Sequence, residues 1–303
     1  MKPILLAYKN YVLTVLDTLF AKGYLISVAV MLSIILYVNY YIGLPQRGHS
    51  KFLLDYAIYA VPFVSTYLLQ YFFYRQHNLF SSAGLWLLIL LAPAFFALRV
   101  NTDVASWWLS NDAPLYSKAT QASLNYAGRA LLLLLPAMAC WYINDRKQMP
   151  LYGFTRANNT RLYCILFIGM IPLLLLASGW ESFSQMYPRS FHEAGLTPHD
   201  NTIPYILFEL CYGFDFLSIE FFFRGFLILA FAKYAGIRVI VPAACFYCCI
   251  HLGKPLPEAV SSFFGGMVLG LISYYTKSIW GGLFIHLGIA WLMEALTWFI
   301  HHA

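Results

Sequence analysis

Glu220 and Arg224 stand four residues apart in DFLSIEFFFRG (215–225), a stretch that is otherwise mostly apolar. Four residues make about one helical turn, so the two side chains leave one face and can meet. A carboxylate and a guanidinium held out of water either pin two helices together or fix a charge beside a reacting group. Downstream, His251 closes the apolar run CFYCCIHLGKP (245–255), and Glu258 follows seven residues later, beyond the interruption expected at Pro255. In SIWGGLFIHLGIAWLMEALTWF (278–299), His286, Ala290 and Glu294 recur one turn apart. Imidazoles and carboxylates are the groups that exchange protons near neutral pH. A lone histidine at a helix end is ordinarily a capping or packing residue. A Glu/Arg pair, two histidines and further acids spread over the last four expected helices point instead to a site.

The elements that must position these groups are membrane helices. The chain has 303 residues, 61% hydrophobic and 11% charged, against roughly 25% charged in an average soluble domain. Its mean hydropathy is +0.66. Apolar runs long enough to cross a bilayer are expected over 23–43, 52–74, 79–98, 126–143, 162–180, 204–232, 237–252, 256–276 and 279–300. The fold class is therefore all-α, a polytopic bundle of about eight or nine transmembrane helices. Four regions are expected: an amphipathic interfacial segment over 1–22, N-terminal transmembrane helices over 23–180, a polar loop over 181–203, and a core over 204–303 that carries the chemistry.

The formal charge of +6 does not signal nucleic acid, because Lys and Arg are scattered through short loops. It fits the positive-inside rule with a cytoplasmic N-terminus. Lys22, Arg75, the group Arg146, Lys147, Arg156 and Arg161, then Lys233, Arg238 and Lys277 fall inside, while Glu181, Glu193 and Asp200 fall outside. No cleavable targeting segment is recognised in residues 1–22, which points to an integral protein of a bacterial plasma membrane. All six cysteines lie in apolar runs, where thiols pack as small hydrophobes. Cys245 and Cys248 form a C-x-x-C near His251, but no second thiol pair completes a zinc site.

Within 204–234, Glu209, Asp215, Glu220 and Arg224 would each cost about 2.5–3.5 kcal/mol facing lipid at a helix centre, so they must face protein or water. At about 100° per residue, Glu209, Gly213, Glu220 and Arg224 fall near one line, with Asp215 on another side. Ser262, Gly266 and Gly270 recur every fourth residue, a spacing that lets membrane helices approach closely.

Three of these elements, in order, resemble the CPBP family of CAAX proteases and bacteriocin-processing proteins, also called Abi. The family pattern is E-E-x-x-x-R-G, then F-x-x-x-H, then H-x-x-x-N. Here IEFFFRG supplies Glu220, Arg224 and Gly225, YCCIH supplies Tyr247 and His251, and HLGIA supplies His286. The likeness covers about 204–295, with a weaker echo in LYGFTR at 151–156. It implies an all-helical intramembrane core and hydrolysis of peptide bonds near the membrane, in prenylated tails or bacteriocin-type peptides. It also implies that a carboxylate activates water while two histidines and an Asn assist. This chain departs from the pattern at the first Glu, where it has Ile219, and at the Asn, where it has Ala290.

The resulting expectation is an intramembrane endopeptidase acting on membrane-associated or prenylated substrates, with Glu220, His251 and His286 catalytic. Arg224 holds Glu220, and Glu258, Glu294 or Asp215 stands in for what is absent. The partners expected are membrane lipid and a peptide or membrane-anchored protein. No cofactor is expected; two histidines and a carboxylate could ligate zinc, but the helical H-E-x-x-H pairing of zinc proteases is absent. Two other readings compete. One is a catalytically silent member that binds peptides or partner helices, supported by Ile219 and Ala290. The other is a proton-coupled carrier, against which stands the lack of an inverted repeat.

Overall fold

The computed structural model describes residues 22–43, 51–74, 82–109, 116–156, 160–197 and 202–302. The interfacial segment expected over 1–22 falls outside these residues, apart from Lys22. The described chain is helical, with no strand. Nine longer helices occur among these residues: α1 (Lys22–Tyr37, prolonged by a π-helical turn Val38–Gly43), α2 (Phe52–Tyr74), α3 (Ala83–Asn101), α4 (Tyr116–Cys140), α5 (Thr160–Ser178), α6 (Thr202–Glu220, continued in π form over Phe221–Ala230), α7 (Ile240–Ile250), α8 (Leu256–Thr276) and α9 (Trp280–His302).

Among the described residues, eight segments are long and apolar enough to cross a membrane, with Thr202–Ile250 counted as one run, so this is an integral membrane protein. The span expected over 237–252 takes a different form. Gly236–Val239 is a 3₁₀ turn, and α7 has 11 residues, about 16 Å of rise against a hydrocarbon core of about 30 Å. Its residues from Ile240 to Cys249 are all buried, so this apolar run faces protein all round.

Pro62, Pro93, Pro136 and Pro172 sit inside helices, as membrane helices tolerate when neighbouring groups serve the freed backbone. Beside Pro62, the Thr66 hydroxyl is positioned to donate to the carbonyls of Pro62 and Phe63, at 3.0 and 2.8 Å.

The chain forms two compact units: Met1–Ala97 with Leu227–Tyr274, and Leu98–Phe226 with Tyr275–Ala303. In the first, α2 packs on α7 through Tyr59, Phe63 and Phe246, whose ring centroids lie 5.4 Å apart in both contacts with Phe246. Gly266 and Gly270 of α8 leave room for α7: a Cβ at either would come within 3.2 Å of Ala244 or Ile240. The turn after α7 is tied to α1, because Asn39 and Tyr40 donate to the carbonyls of Leu252 and Lys254 at 2.8 and 2.5 Å.

In the second unit α6 packs on α4 and α9, and α9 packs on α5. Glycines decide how close α9 comes to α5. A Cβ at Gly281 would collide with the Tyr163 ring at 2.1 Å, and one at Gly288 with the Phe167 ring at 2.8 Å. The other side of α9 faces α6, where Gly213 lies against Leu287 and Trp291. Those contacts fix the register of the two helices that carry Glu220 and His286.

Candidate active site

Glu220 is the last α-helical residue of α6, and from Phe221 the backbone widens into a ten-residue π-helix. Such widening is often found at functional sites. Glu220 and Arg224 straddle the change and meet: Arg224 Nε lies 3.5 Å from Glu220 Oε2, with the side chains 2% and 0% exposed. The other oxygen, Oε1, accepts from His286 Nδ1 at 2.9 Å. A carboxylate can only accept, so this contact places the proton on Nδ1 and leaves the lone pair of the neutral imidazole on Nε2. Phe216, one turn before Glu220, holds the ring edge-on at 4.6 Å between centroids.

Room for this arrangement comes from Gly282. A Cβ there would stand 2.4 Å from Glu220 Oε2, so only glycine lets the carboxylate lie against the α9 backbone. Gly225 does the same on the far side of Arg224, where a Cβ would meet the Tyr152 carbonyl oxygen at 2.7 Å. That contact gives the echo at 151–156 a physical role. Tyr152 is buried and donates to Asp145 at 2.5 Å. The backbone beyond it is stitched to the start of α9: Ile279 N–H donates to the Gly153 carbonyl at 3.0 Å, Thr155 to Lys277 at 2.6 Å, and Ser278 to Thr155 at 2.9 Å. Lys277 is forced into the left-handed region at φ 54°, and partial burial lowers its ammonium pKa. The clasp thus seats α9 so that Gly282 and His286 both reach Glu220.

The other acids have separate partners. Asp215 projects from another side of α6, as its angle predicts, and both its oxygens face Arg99 Nη2 of α3, at 2.6 and 2.5 Å. Glu294 is 4% exposed. It accepts from the Arg189 N–H at 2.7 Å and from the Ser190 N–H and hydroxyl at 3.2 Å, at the start of the short helix Arg189–Ala194. Those amides are donors with no partner inside their own helix. For Arg189 itself, outside the spans, burial pulls the guanidinium pKa down but the Glu193 carboxylate beside it prevails and raises it.

His251 and Glu258 belong to the first unit. His251 caps the C-terminus of α7, and its Nδ1 donates to the Tyr247 carbonyl at 2.8 Å, which again leaves the lone pair of the neutral ring on Nε2. Glu258 pairs with Lys254 at 2.5 Å. The C-x-x-C thiols are buried, and Cys248 donates to the Ala259 carbonyl at 3.2 Å. Among the described residues, no three His, Cys, Asp or Glu side chains converge as metal ligands do.

Sequence reasoning missed Arg99 and the part played by Gly282. Arg99 reads as one more basic residue at a span end, and its pairing across 116 positions leaves no local trace. Gly282 belongs to a WGG stretch, but spacing alone does not say which glycine meets a carboxylate. Ala290, at the position of the family's Asn, is buried in an apolar cluster with Tyr126, Phe208 and Tyr212, so no side-chain donor stands there.

A polytopic helical membrane protein whose carboxylate and imidazole are held together between two helices, with an arginine behind the carboxylate, is the class that α6 and α9 define. Residues 201–292 carry a domain of the CPBP type, matching the family model described as type II CAAX prenyl endopeptidase Rce1-like. The match runs from the approach to α6 into α9 and so takes in Glu220, Arg224, His251 and His286. No curated protein and no solved structure matches the chain. A domain of this family suggests an intramembrane protease acting on a protein substrate.

Proposed function

We propose that the chain is an intramembrane endopeptidase that hydrolyses peptide bonds of membrane-associated or prenylated proteins, with Glu220 and His286 at its centre. The observation that carries this reading is the 2.9 Å contact between them inside an Rce1-like domain. Glu220 orients the ring, and His286 Nε2 takes a proton from water as the water oxygen attacks the scissile carbonyl. The same proton then passes to the departing amine as the C–N bond breaks. Glu220 balances the imidazolium that forms in between, and Arg224 keeps Glu220 in place. Glu220 is thus a positioning group rather than the direct base, because one of its oxygens is engaged by His286 and the other faces Arg224.

His251 enters as a second imidazole on the resemblance, and its role is a matter for mutation. Asp215, Glu258 and Glu294 have their own partners and take structural roles in this reading. The membrane is that of a bacterial cell, with the N-terminus in the cytoplasm.

Ala290 favours a second reading, in which the same domain binds membrane-associated peptides without cleaving them. A missing oxyanion donor typically lowers the rate by about 10²–10³. The deciding experiment is a cleavage assay in liposomes against membrane-anchored and prenylated peptides, comparing wild type with Glu220→Ala, His286→Ala and His251→Ala. Cleavage lost in the Glu220 and His286 variants supports the endopeptidase. Stable capture of uncleaved peptide by folded wild type overturns it in favour of the binding protein.

A further inference from the structure

Three turns before Glu220 on α6, the surroundings of a carboxylate change. Glu209 and Glu294 both line a cavity of about 510 Å³, walled by Tyr205, Trp291, Trp298 and Phe299. Glu294 has backbone partners. Glu209 does not: the Trp291 indole is directed at it, yet neither carboxylate oxygen completes a well-formed hydrogen bond among the described residues, although both are buried. A carboxylate offers about four lone-pair sites, so this one is under-served. Arg189, the basic residue beside Glu294, turns its guanidinium to Glu193.

The position and walls of the cavity describe what fits. Glu209 lies seven residues into α6 and Glu294 eight residues from the end of α9. Each is roughly 10–12 Å inside its helix end. Trp291 and Phe299 are 43% and 61% exposed, so the mouth is rimmed by aromatic rings open to the surroundings. Aromatic faces and carboxylates together bind ammonium groups, the faces through their quadrupoles and the carboxylates by charge. A phosphate or carboxylate ligand would be repelled by the same two acids.

We infer that this cavity is a binding site for an organic ammonium group, with Glu209 as its counter-charge and Trp291, Trp298 and Tyr205 as its aromatic walls. The inference uses neither Glu220 nor His286, so it stands or falls apart from the peptidase reading. The ammonium belongs either to a lipid headgroup or to a soluble amine, and both present the same chemistry.

The test uses the full chain in phosphatidylglycerol nanodiscs, titrated with choline and separately with ethanolamine, with sodium chloride at equal ionic strength as control. Binding is read by calorimetry and by the thermal midpoint. Saturable binding in wild type, weakened roughly tenfold or more in Glu209→Gln and restored in part by Glu209→Asp, is the expected result. Retention of phosphatidylethanolamine or phosphatidylcholine in native mass spectra, with competition against choline, identifies a lipid source. Choline binding without such competition identifies a soluble one. No saturable binding to folded wild type, or equal affinity in Glu209→Gln, overturns the inference.

Discussion

Two carboxylates on one face of α6 meet the same neighbour, α9, and are treated in opposite ways. Glu220 is enclosed and faces a cation of the protein: Oε1 accepts from His286, and Oε2 lies 3.5 Å from Arg224 Nε in the notch at Gly282, without a completed hydrogen bond. Glu209, eleven residues earlier on the same stripe, lines an aromatic cavity and lacks a cation among the described residues. Charge burial alone is therefore no mark of chemistry in this protein. What separates the two ends is whether the protein supplies the counter-charge or leaves space for one from outside.

The comparison predicts its largest effects at Glu220. Alanine there removes the carboxylate beside the Arg224 guanidinium, and breaking a buried pair by removing one partner costs about 3–5 kcal/mol. Cleavage by any folded fraction should fall to background. Replacing both partners, as Glu220→Leu with Arg224→Met, should recover most of the stability and none of the activity, read from thermal midpoints and the liposome assay. Asp215→Ala, which takes the carboxylate away from Arg99, should destabilise by a similar amount and leave the residual folded protein able to cleave. Equal loss of turnover per folded molecule in both variants would erase the distinction between a structural ion pair and a working one.

Gly282→Ala sharpens the same point from α9. Its Cβ cannot coexist with Glu220 Oε2 at 2.4 Å, and the carboxylate is the mobile party. Stability should change little, while displacing the carboxylate that positions His286 by about 1 Å lowers rate by roughly 10²-fold. Gly225→Ala reverses the balance: its Cβ meets the Tyr152 backbone oxygen, which cannot step aside, so overpacking by about 1–3 kcal/mol should dominate. Wild-type turnover in Gly282→Ala would show that Glu220 does not need its present position.

The sequence made the helices legible because a bilayer leaves few alternatives: long apolar runs must be helical, and acids among them must face inward. The inward stripe was readable by angle, and the structure puts Glu209, Gly213 and Glu220 on the α9 side and Asp215 against Arg99. The 237–252 run reads as a span of its own, whereas the structure gives a shorter α7, buried from Ile240 to Cys249, at the end of the apolar run Thr202–Ile250; a short helix buried on all sides is as apolar as one facing lipid. The i,i+4 pair of Glu220 and Arg224 was legible from spacing, but partners far apart in the chain were not. Arg99 with Asp215, Glu294 with Ser190, and Glu220 with Gly282 are contacts between distant parts of the chain, set by packing rather than by local spacing.

The smallest predicted effect is the most discriminating. Glu209→Gln keeps the shape of the side chain and removes a charge for which the described protein provides no cation. In phosphatidylglycerol nanodiscs free of amines, its thermal midpoint should match or slightly exceed that of wild type, a change of about 1 kcal/mol or less. Glu220→Gln under the same conditions should lower the midpoint markedly, because Arg224 then loses its counter-charge at a buried position. If the two substitutions destabilise equally, Glu209 is held by the protein as Glu220 is, and the aromatic cavity is a packing defect instead of a place kept for a cation. If adding choline raises the midpoint of wild type but not of Glu209→Gln, the two ends of the stripe differ as the geometry requires: one charge is satisfied in folding, the other in binding.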